Sequence, residues 1–195
     1  MSKVASLDEA RRLLNNLHPT LLRALVILSV GNGIDSSTKL SRCLNVSKRN
    51  ARRIISILEK LSLAKTISYR RKKLILSINK YVEKEIWKSI KLLVPYIIDE
   101  LRLPYSQIND ASIDLISKKL LARLGVDVAP SYRLAILIKR VTSEGLQKKP
   151  LPSWLKGIIR HRYGQREGIV AERAKQRNLS FNYTLYEEVS ELGAL

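Results

Sequence analysis

The feature that most constrains the fold is a change of hydrophobic period within residues 47–78. Apolar residues first recur at intervals of three and four, which predicts one buried stripe along a helix. The members of this stripe are Ala51, Ile54, Ile55, Leu58 and Leu61. After Leu63 the period becomes two, in the segments KTISY and LILSI, which predicts two β-strands. The tetrapeptide RRKK that joins them contains no Gly or Asn, so the turn type stays open.

Helix-start and helix-stop patterns predict two helices at the beginning of the chain. Ser6 and Glu9 have capping-box spacing, so a first helix is expected at Leu7–Leu17. Pro19 suits the first position of a second helix, PTLLRALVILSV, which Gly31 ends. This second helix is apolar nearly all round and is therefore expected to be buried.

A short third helix and a turn precede the helix with the apolar stripe. Ser36 or Ser37 can cap the short helix. Val46, in the turn NVS, is expected to reach back to the core, and Ser47 is the expected N-cap of the striped helix.

Residues 19–80 thus read as helix, short helix, turn, longer helix and a hairpin with a basic tip. In this order they resemble the winged helix-turn-helix superfamily of DNA-binding proteins. The resemblance is carried by the small Ala51, by the passage LEKLSLAK into a strand, and by the basic hairpin tip. The wings of small bacterial and archaeal regulators of the MarR, ArsR or PadR sort are the most similar. The resemblance implies a mainly α fold with a two-stranded β wing, and double-stranded DNA as the partner.

The rest of the chain is expected to be helical. Residues 80–103 predict a long amphipathic helix, which Pro95 either kinks or divides into two. Its apolar stripe could form intrachain core or could pair with a second copy, because the resembled regulators often form homodimers through such a helix. Helices are also predicted at Ala111–Leu124 and Pro130–Glu144. We expect domains at 1–80 (winged helix), 81–147 (helical) and 148–195 (a basic helical segment with an acidic end).

The charge of the chain is large and uneven. There are 36 Lys and Arg residues against 17 Asp and Glu, a net charge of +19. Residues 1–80 hold 17 of these cations and only 4 of the anions, a net +13. A thermophile's Lys-rich surface would carry matching Glu, which this segment lacks. The imbalance therefore favours a polyanionic partner, nucleic acid above all.

The striped helix and the hairpin tip carry the candidate DNA-binding residues. Arg can pair with guanine and Asn with adenine in the major groove, while Lys, Ser and a helix N-terminus suit phosphates. The alternatives are a solvated basic face and, at the tip, a charge cluster that protects a strand edge from aggregation. The candidate residues are Ser47, Lys48, Arg49, Asn50, Arg52, Arg53 and Ser56 on the helix, and Arg70, Arg71, Lys72 and Lys73 at the tip.

A second candidate nucleic-acid surface lies in the segment from Trp154 to Asn178. Arg side chains there could contact phosphates and Tyr163 could stack on a base. An ordinary solvated helical face explains the same residues, and the sequence does not choose between the two. The residues are Lys156, Arg160, Arg162, Tyr163, Arg166, Arg173, Lys175 and Arg177.

Several classes of function lack a motif in this sequence. A single cysteine, Cys43, gives neither an internal disulfide framework nor a multi-cysteine zinc site. There is no phosphate-binding Gly-rich loop with Lys, and no acidic pair sits in a nuclease motif, so we expect no enzyme activity, no cofactor and no metal. The apolar runs are too short to cross a bilayer, and no secretory leader is evident. A soluble, cytoplasmic, nucleoid-associated protein is expected.

The sequence therefore predicts a double-stranded DNA-binding protein, with transcription regulation as the favoured role. The alternative is a DNA replication, segregation or nucleoprotein assembly factor. In that role the winged domain would contact protein, and the basic C-terminal segment would bind DNA or RNA non-specifically.

Overall fold

A computed structural model describes residues 4–31, 36–69 and 73–159, except for the side chains of 67–69 and 73–76. Contacts within the chain group Met1–Ile159 as one unit and Arg160–Leu195 as another, and the second unit lies outside the described residues. The described fold is mainly helical with a small two-stranded antiparallel sheet, which confirms the predicted class.

The order of the elements follows the sequence prediction. A short 3-10 turn at Tyr105–Gln107 precedes α6, and residues 153–159 are helical again. The helices and strands are α1 (Leu7–Asn15), α2 (Pro19–Val30), α3 (Ser37–Leu44), α4 (Lys48–Lys60), β1 (Ala64–Tyr69), β2 (Lys73–Ile78), α5 (Lys80–Glu100), α6 (Asp110–Leu124) and α7 (Tyr132–Ser143).

Side-chain caps fix where the helices begin. The hydroxyls of Ser6, Ser36, Ser47 and Ser131 each accept a hydrogen bond from the backbone N–H three residues later. The caps at Ser6 and Ser47 are confirmed, and Ser36 rather than Ser37 caps α3. Helix α7 begins at Tyr132, later than the Pro130 predicted, because the Ser131 hydroxyl takes the capping position.

Helix α1 ends earlier than predicted. It stops at Asn15 instead of Leu17, because the Asn16 N–H turns back to the carbonyls of Leu13 and Leu14. Three residues separate it from the next helix, which begins at Pro19 after the ring nitrogen Nδ1 of His18 accepts the Thr20 N–H at 3.3 Å.

Helix α5 is continuous through Pro95 and forms the centre of the core. It packs against α1, α2, α6 and α7. Its apolar stripe is buried within the single chain, and Val82, Ile86, Ile90 and Ile97 have no exposed surface. Of the two uses that the sequence left open for this stripe, the structure shows the intrachain one.

The start of the predicted 148–195 segment also packs into this core. Residues 145–152 are irregular, and the Lys149 carbonyl accepts the Tyr96 hydroxyl at 2.8 Å. Trp154, Leu155 and Ile158 are then buried, and the backbone N–H of Trp154 donates to Asn15 Oδ1 at 3.1 Å. The described residues up to 159 therefore share one core with the helices before them.

The β-hairpin is attached to α4 and α5 at its base. Its strands pair antiparallel, with Ala64 opposite Ile78 and Tyr69 opposite Lys73. The Asn79 N–H, immediately after β2, donates to the Leu63 carbonyl at 2.9 Å, just before β1. This bond closes the base of the hairpin next to the point where α4 ends.

Candidate nucleic-acid interface

The inner side of α4 is built as predicted. Ala51 and Leu58 are fully buried, and Ile54 and Ile55 are each 7% exposed. Burial of this stripe holds the opposite side of the helix toward solvent. All seven predicted contact residues on α4 and its cap, from Ser47 to Ser56, are exposed.

A hydrogen-bonded turn connects α3 to the start of α4. Asn45 takes the left-handed conformation with φ 53°, which Asn tolerates better than most residues. The Val46 N–H donates to the Ser41 carbonyl at 3.0 Å, and the Ser41 hydroxyl donates to the Val46 carbonyl at 2.7 Å. Val46 packs against the core as predicted. These bonds fix the N-terminus of α4 relative to α3.

The exposed cations of α4 have no acidic partner among the residues that the structure describes. Lys48, Arg49, Arg52 and Arg53 form no ion pair there. The sole acid in α4, Glu59, instead accepts the backbone N–H of Thr66 at 3.1 Å. The guanidinium and ammonium groups of α4 are thus left available for another partner.

Four further cations near α4 were missed by the sequence prediction. Lys39 and Arg42 are exposed on α3, Lys60 ends α4, and Lys65 is exposed on β1. Within the described part of the chain none of them forms an ion pair either. Positions 39 and 42 could have been found, since they are spaced three apart in a helix whose inner residues are Leu40 and Leu44.

The cations of α6 and α7, unlike those of α3 and α4, have acidic partners. Each one lies within ion-pair distance of a carboxylate. The pairs are Lys118–Asp114, Lys119–Glu100, Arg123–Glu100, Arg133–Glu83, Lys139–Asp110 and Arg140–Glu144.

Two pKa shifts reflect this pairing. Hydrogen bonds from Lys91 and then from Arg140 hold the pKa of the Glu144 carboxyl below its ordinary value. A hydrogen bond to Asp110 raises the pKa of Lys139. Both groups therefore remain charged and neutralise their partners at neutral pH.

Helix α5 carries both paired and unpaired cations. Lys91 pairs with Glu144 at 2.8 Å, whereas Lys84 and Lys88 are exposed with no ion pair among the described residues. The concentration of unpaired cations is therefore greatest on α3 and α4, where a positive potential results. Phosphate groups are the ligands that such a potential attracts.

The remaining predicted contact residues are only partly described. Arg70, Arg71 and Lys72 lie outside the described residues, and for Lys73 only the backbone, at the start of β2, is described. Lys156 is exposed, whereas Trp154, two positions earlier, is 2% exposed and belongs to the core. The rest of the second candidate surface lies outside the described residues: Arg160, Arg162, Tyr163, Arg166, Arg173, Lys175 and Arg177.

The described ranges contain neither a cluster of metal ligands nor a membrane-spanning helix. No three His, Cys, Asp or Glu side chains of these ranges come together as metal ligands would. Cys43 is half-buried against the core, and burial raises the pKa of its thiol. None of the helices in the described part of the chain has the length and apolar character needed to cross a membrane.

The interface consists of α4, α3 and the start of β1, and its defining property is exposed positive charge without acidic partners in the described residues. Comparison of the chain with protein-family models, with curated proteins and with solved structures finds no match.

Proposed function

We propose that this protein binds double-stranded DNA through a winged helix-turn-helix formed by α2, α3, α4 and the β1–β2 hairpin. The observation that carries the proposal is the contrast in charge pairing. Every cation of α6 and α7 has a carboxylate partner, whereas no cation of α3 or α4 has one in the described residues. A partner with regularly spaced negative charge would complete these groups, and duplex DNA has that character.

Helix α4 would enter the major groove with its first turns against the base edges. Arg49 and Arg52 would pair with guanine and Asn50 with adenine. The exposure of all three near the N-terminus of α4 supports these contacts. Lys48 and the Ser47 end of the helix would contact phosphates. The basic hairpin tip, residues 70–73, would contact the adjacent backbone or the minor groove.

Transcription regulation in the cytoplasm, at the nucleoid, is the role that we favour. The exposed Arg and Asn side chains at the start of α4 can distinguish one base from another. A purely architectural protein does not need side chains with this ability. The alternative role is DNA replication, segregation or nucleoprotein assembly, with the basic C-terminal segment as a second contact to DNA or RNA.

A homodimer is not required by this proposal. The α5 stripe, which the sequence offered as a dimer seam, is buried within the chain. A second copy would therefore need another surface, and on α7 the exposed large apolar side chains are Tyr132 (80% exposed) and Ile136 (46%).

Selection of bound duplexes from random DNA tests the proposed function. Enrichment of a consensus would support base reading by α4, and a palindromic consensus would indicate a symmetric dimer. Binding without a consensus would favour the architectural or assembly role. Recovery of no duplex above background at low salt would refute duplex binding altogether.

A further inference from the structure

Glu59 is the one acidic residue of α3, α4 and β1, yet its carboxylate does not pair with the arginines of α4. Its Oε1 atom accepts the backbone N–H of Thr66 at 3.1 Å and also accepts the Thr66 hydroxyl. The last turn of α4 is thus bonded to the third residue of β1. A carboxylate on a DNA-binding face would repel phosphate, so its presence there calls for a structural reason.

The two bonds occupy the edge of β1 that has no strand beside it. The described sheet contains only two strands, so one edge of β1 faces α4 rather than another strand. Backbone N–H groups on such an edge need an acceptor from elsewhere. Glu59 supplies this acceptor to Thr66.

A separate set of bonds attaches the base of the hairpin. Ser62 takes a left-handed φ of 56° after α4, and the Leu63 N–H donates back to the Leu58 carbonyl at 2.9 Å. The Asn79 N–H closes the base from the other strand. Strand β2 also contacts α2. The attachment at Thr66 holds the β1 side of the hairpin to α4, and so fixes the direction in which β1 leaves that helix.

We propose that Glu59 is a positioning residue that sets the direction of the β1–β2 hairpin relative to α4, so that helix and hairpin engage one duplex together. This inference rests on the proposed DNA-binding function. It predicts that loss of the Glu59 acceptor weakens DNA binding, although loss of its negative charge alone would strengthen it.

The test compares Glu59→Ala with Glu59→Gln in the full-length chain. Both substitutions remove the same charge, but only the Gln amide oxygen can still accept the Thr66 N–H. Ala also has the higher helix propensity, so a weaker Ala variant would not reflect loss of α4. We expect Glu59→Ala to bind a duplex, chosen by selection with the wild type, about fivefold more weakly than Glu59→Gln.

Amide hydrogen exchange at Thr66 supplies a readout independent of DNA. We expect the Thr66 amide to exchange slowly in the wild type and in Glu59→Gln, and faster in Glu59→Ala. Equal exchange in all three would overturn the proposed attachment, whatever the DNA result.

A second comparison asks whether Glu59 acts through the hairpin. In a background with Arg70, Arg71, Lys72 and Lys73 all changed to Ala, the affinity ratio between the Gln and Ala variants should fall to about one. A ratio unchanged in that background would overturn the inference, because Glu59 would then act without the hairpin.

These experiments distinguish a failure of the role proposed for Glu59 from a failure of the proposed DNA-binding function. If the wild type binds duplex DNA but both Glu59 variants bind equally well, Glu59 acts only as a charge and the inference is wrong while the function stands. If the wild type itself binds no duplex, the proposed function fails, and the DNA role of Glu59 fails with it.

Discussion

At the scale of single residues, the cations of this chain differ in whether a carboxylate lies within reach. Lys118 and Lys139 contact Asp114 and Asp110 at 2.6 and 2.7 Å, so their charge is already compensated. Arg49 and Arg52 are exposed and have no such contact in the described residues. Binding of a phosphate or a base edge by these arginines therefore requires no existing ion pair to be broken.

The double variant Arg49→Ala, Arg52→Ala should lose both affinity and base preference. We expect binding to a selected duplex to weaken at least about tenfold, because each Arg can make a bidentate contact with guanine. Competition between the selected duplex and random duplexes measures this loss of preference.

The matched control is Lys118→Ala, Lys139→Ala. It lowers the net charge from +19 to +17, as the arginine variant does, but it removes cations that are already paired. Exposed ion pairs of this kind contribute little to stability, so the control should remain folded. Equal losses of affinity in the two variants would show that only total charge matters and that α4 reads no bases.

At the scale of elements, α4 depends on one hydroxyl for its start. Ser47 Oγ accepts the Asn50 N–H at 3.2 Å, directly beside the proposed base contacts. The same arrangement occurs in α1, where Ser6 Oγ accepts the Glu9 N–H at 3.2 Å.

Ser47→Ala should cost about 1 kcal/mol of unfolding free energy and should also weaken DNA binding, because the first turn of α4 loses its cap. Ser6→Ala should cost a similar amount of stability, since it removes an equivalent cap, but should leave DNA affinity unchanged. Chemical denaturation and duplex titration of both variants provide the comparison. A loss of affinity for Ser6→Ala as large as that for Ser47→Ala would mean that the effect is one of stability alone.

The sequence predicted these elements well because their signals are local. The cap at Ser47, the buried stripe of α4 and the two strands all depend on neighbours within a few positions. The sequence left open whether α5 continues through Pro95. Proline tends to break a helix, and the tertiary packing of this buried residue, which outweighs that tendency, cannot be read from local signals.

The charge pattern of the site could be predicted only in part. Composition showed the excess of cations in residues 1–80. It did not show which cations find partners, because most of those pairs span long sequence separations; Lys118–Asp114 and Arg140–Glu144, four residues apart, are the exceptions within α6 and α7. Arg11 donates to the buried Glu85 at 3.1 Å across 74 positions, and Arg133 pairs with Glu83 across 50. The difference in charge pairing between α3–α4 and α6–α7 is therefore visible only in the tertiary structure.

At the scale of the whole molecule, the described core extends to residue 159. Trp154, Leu155 and Ile158 are at most 2% exposed, so a cut at residue 148 would remove core side chains. A cut after residue 159 would spare them while removing most cations of the second candidate surface.

A chain without residues 148–195 should therefore have an unfolding free energy about 5 kcal/mol or more below that of a chain without residues 160–195, because three large apolar side chains leave the core. Thermal unfolding of the two truncated chains distinguishes them. DNA titration of the first then tests the second surface, since an unchanged affinity and salt dependence would remove residues 160–195 from the interface. Equal stability of both chains would contradict the core described for Trp154.

If the cations of α4 bind the phosphates and bases of a duplex, the affinity for DNA should depend on salt concentration through these side chains. One variant changes Lys48, Arg49, Arg52 and Arg53 to Gln, and its control changes Lys118, Lys119, Lys139 and Arg140 to Gln. Each lowers the net charge from +19 to +15. We predict that the slope of log affinity against log salt concentration becomes shallower by about 1–2 in the α4 variant, at about 0.9 per phosphate contact, because Arg49 and Arg52 are proposed to contact bases rather than phosphates. The slope should stay unchanged in the control. Equal slopes in the α4 variant and the wild type would contradict binding through these side chains.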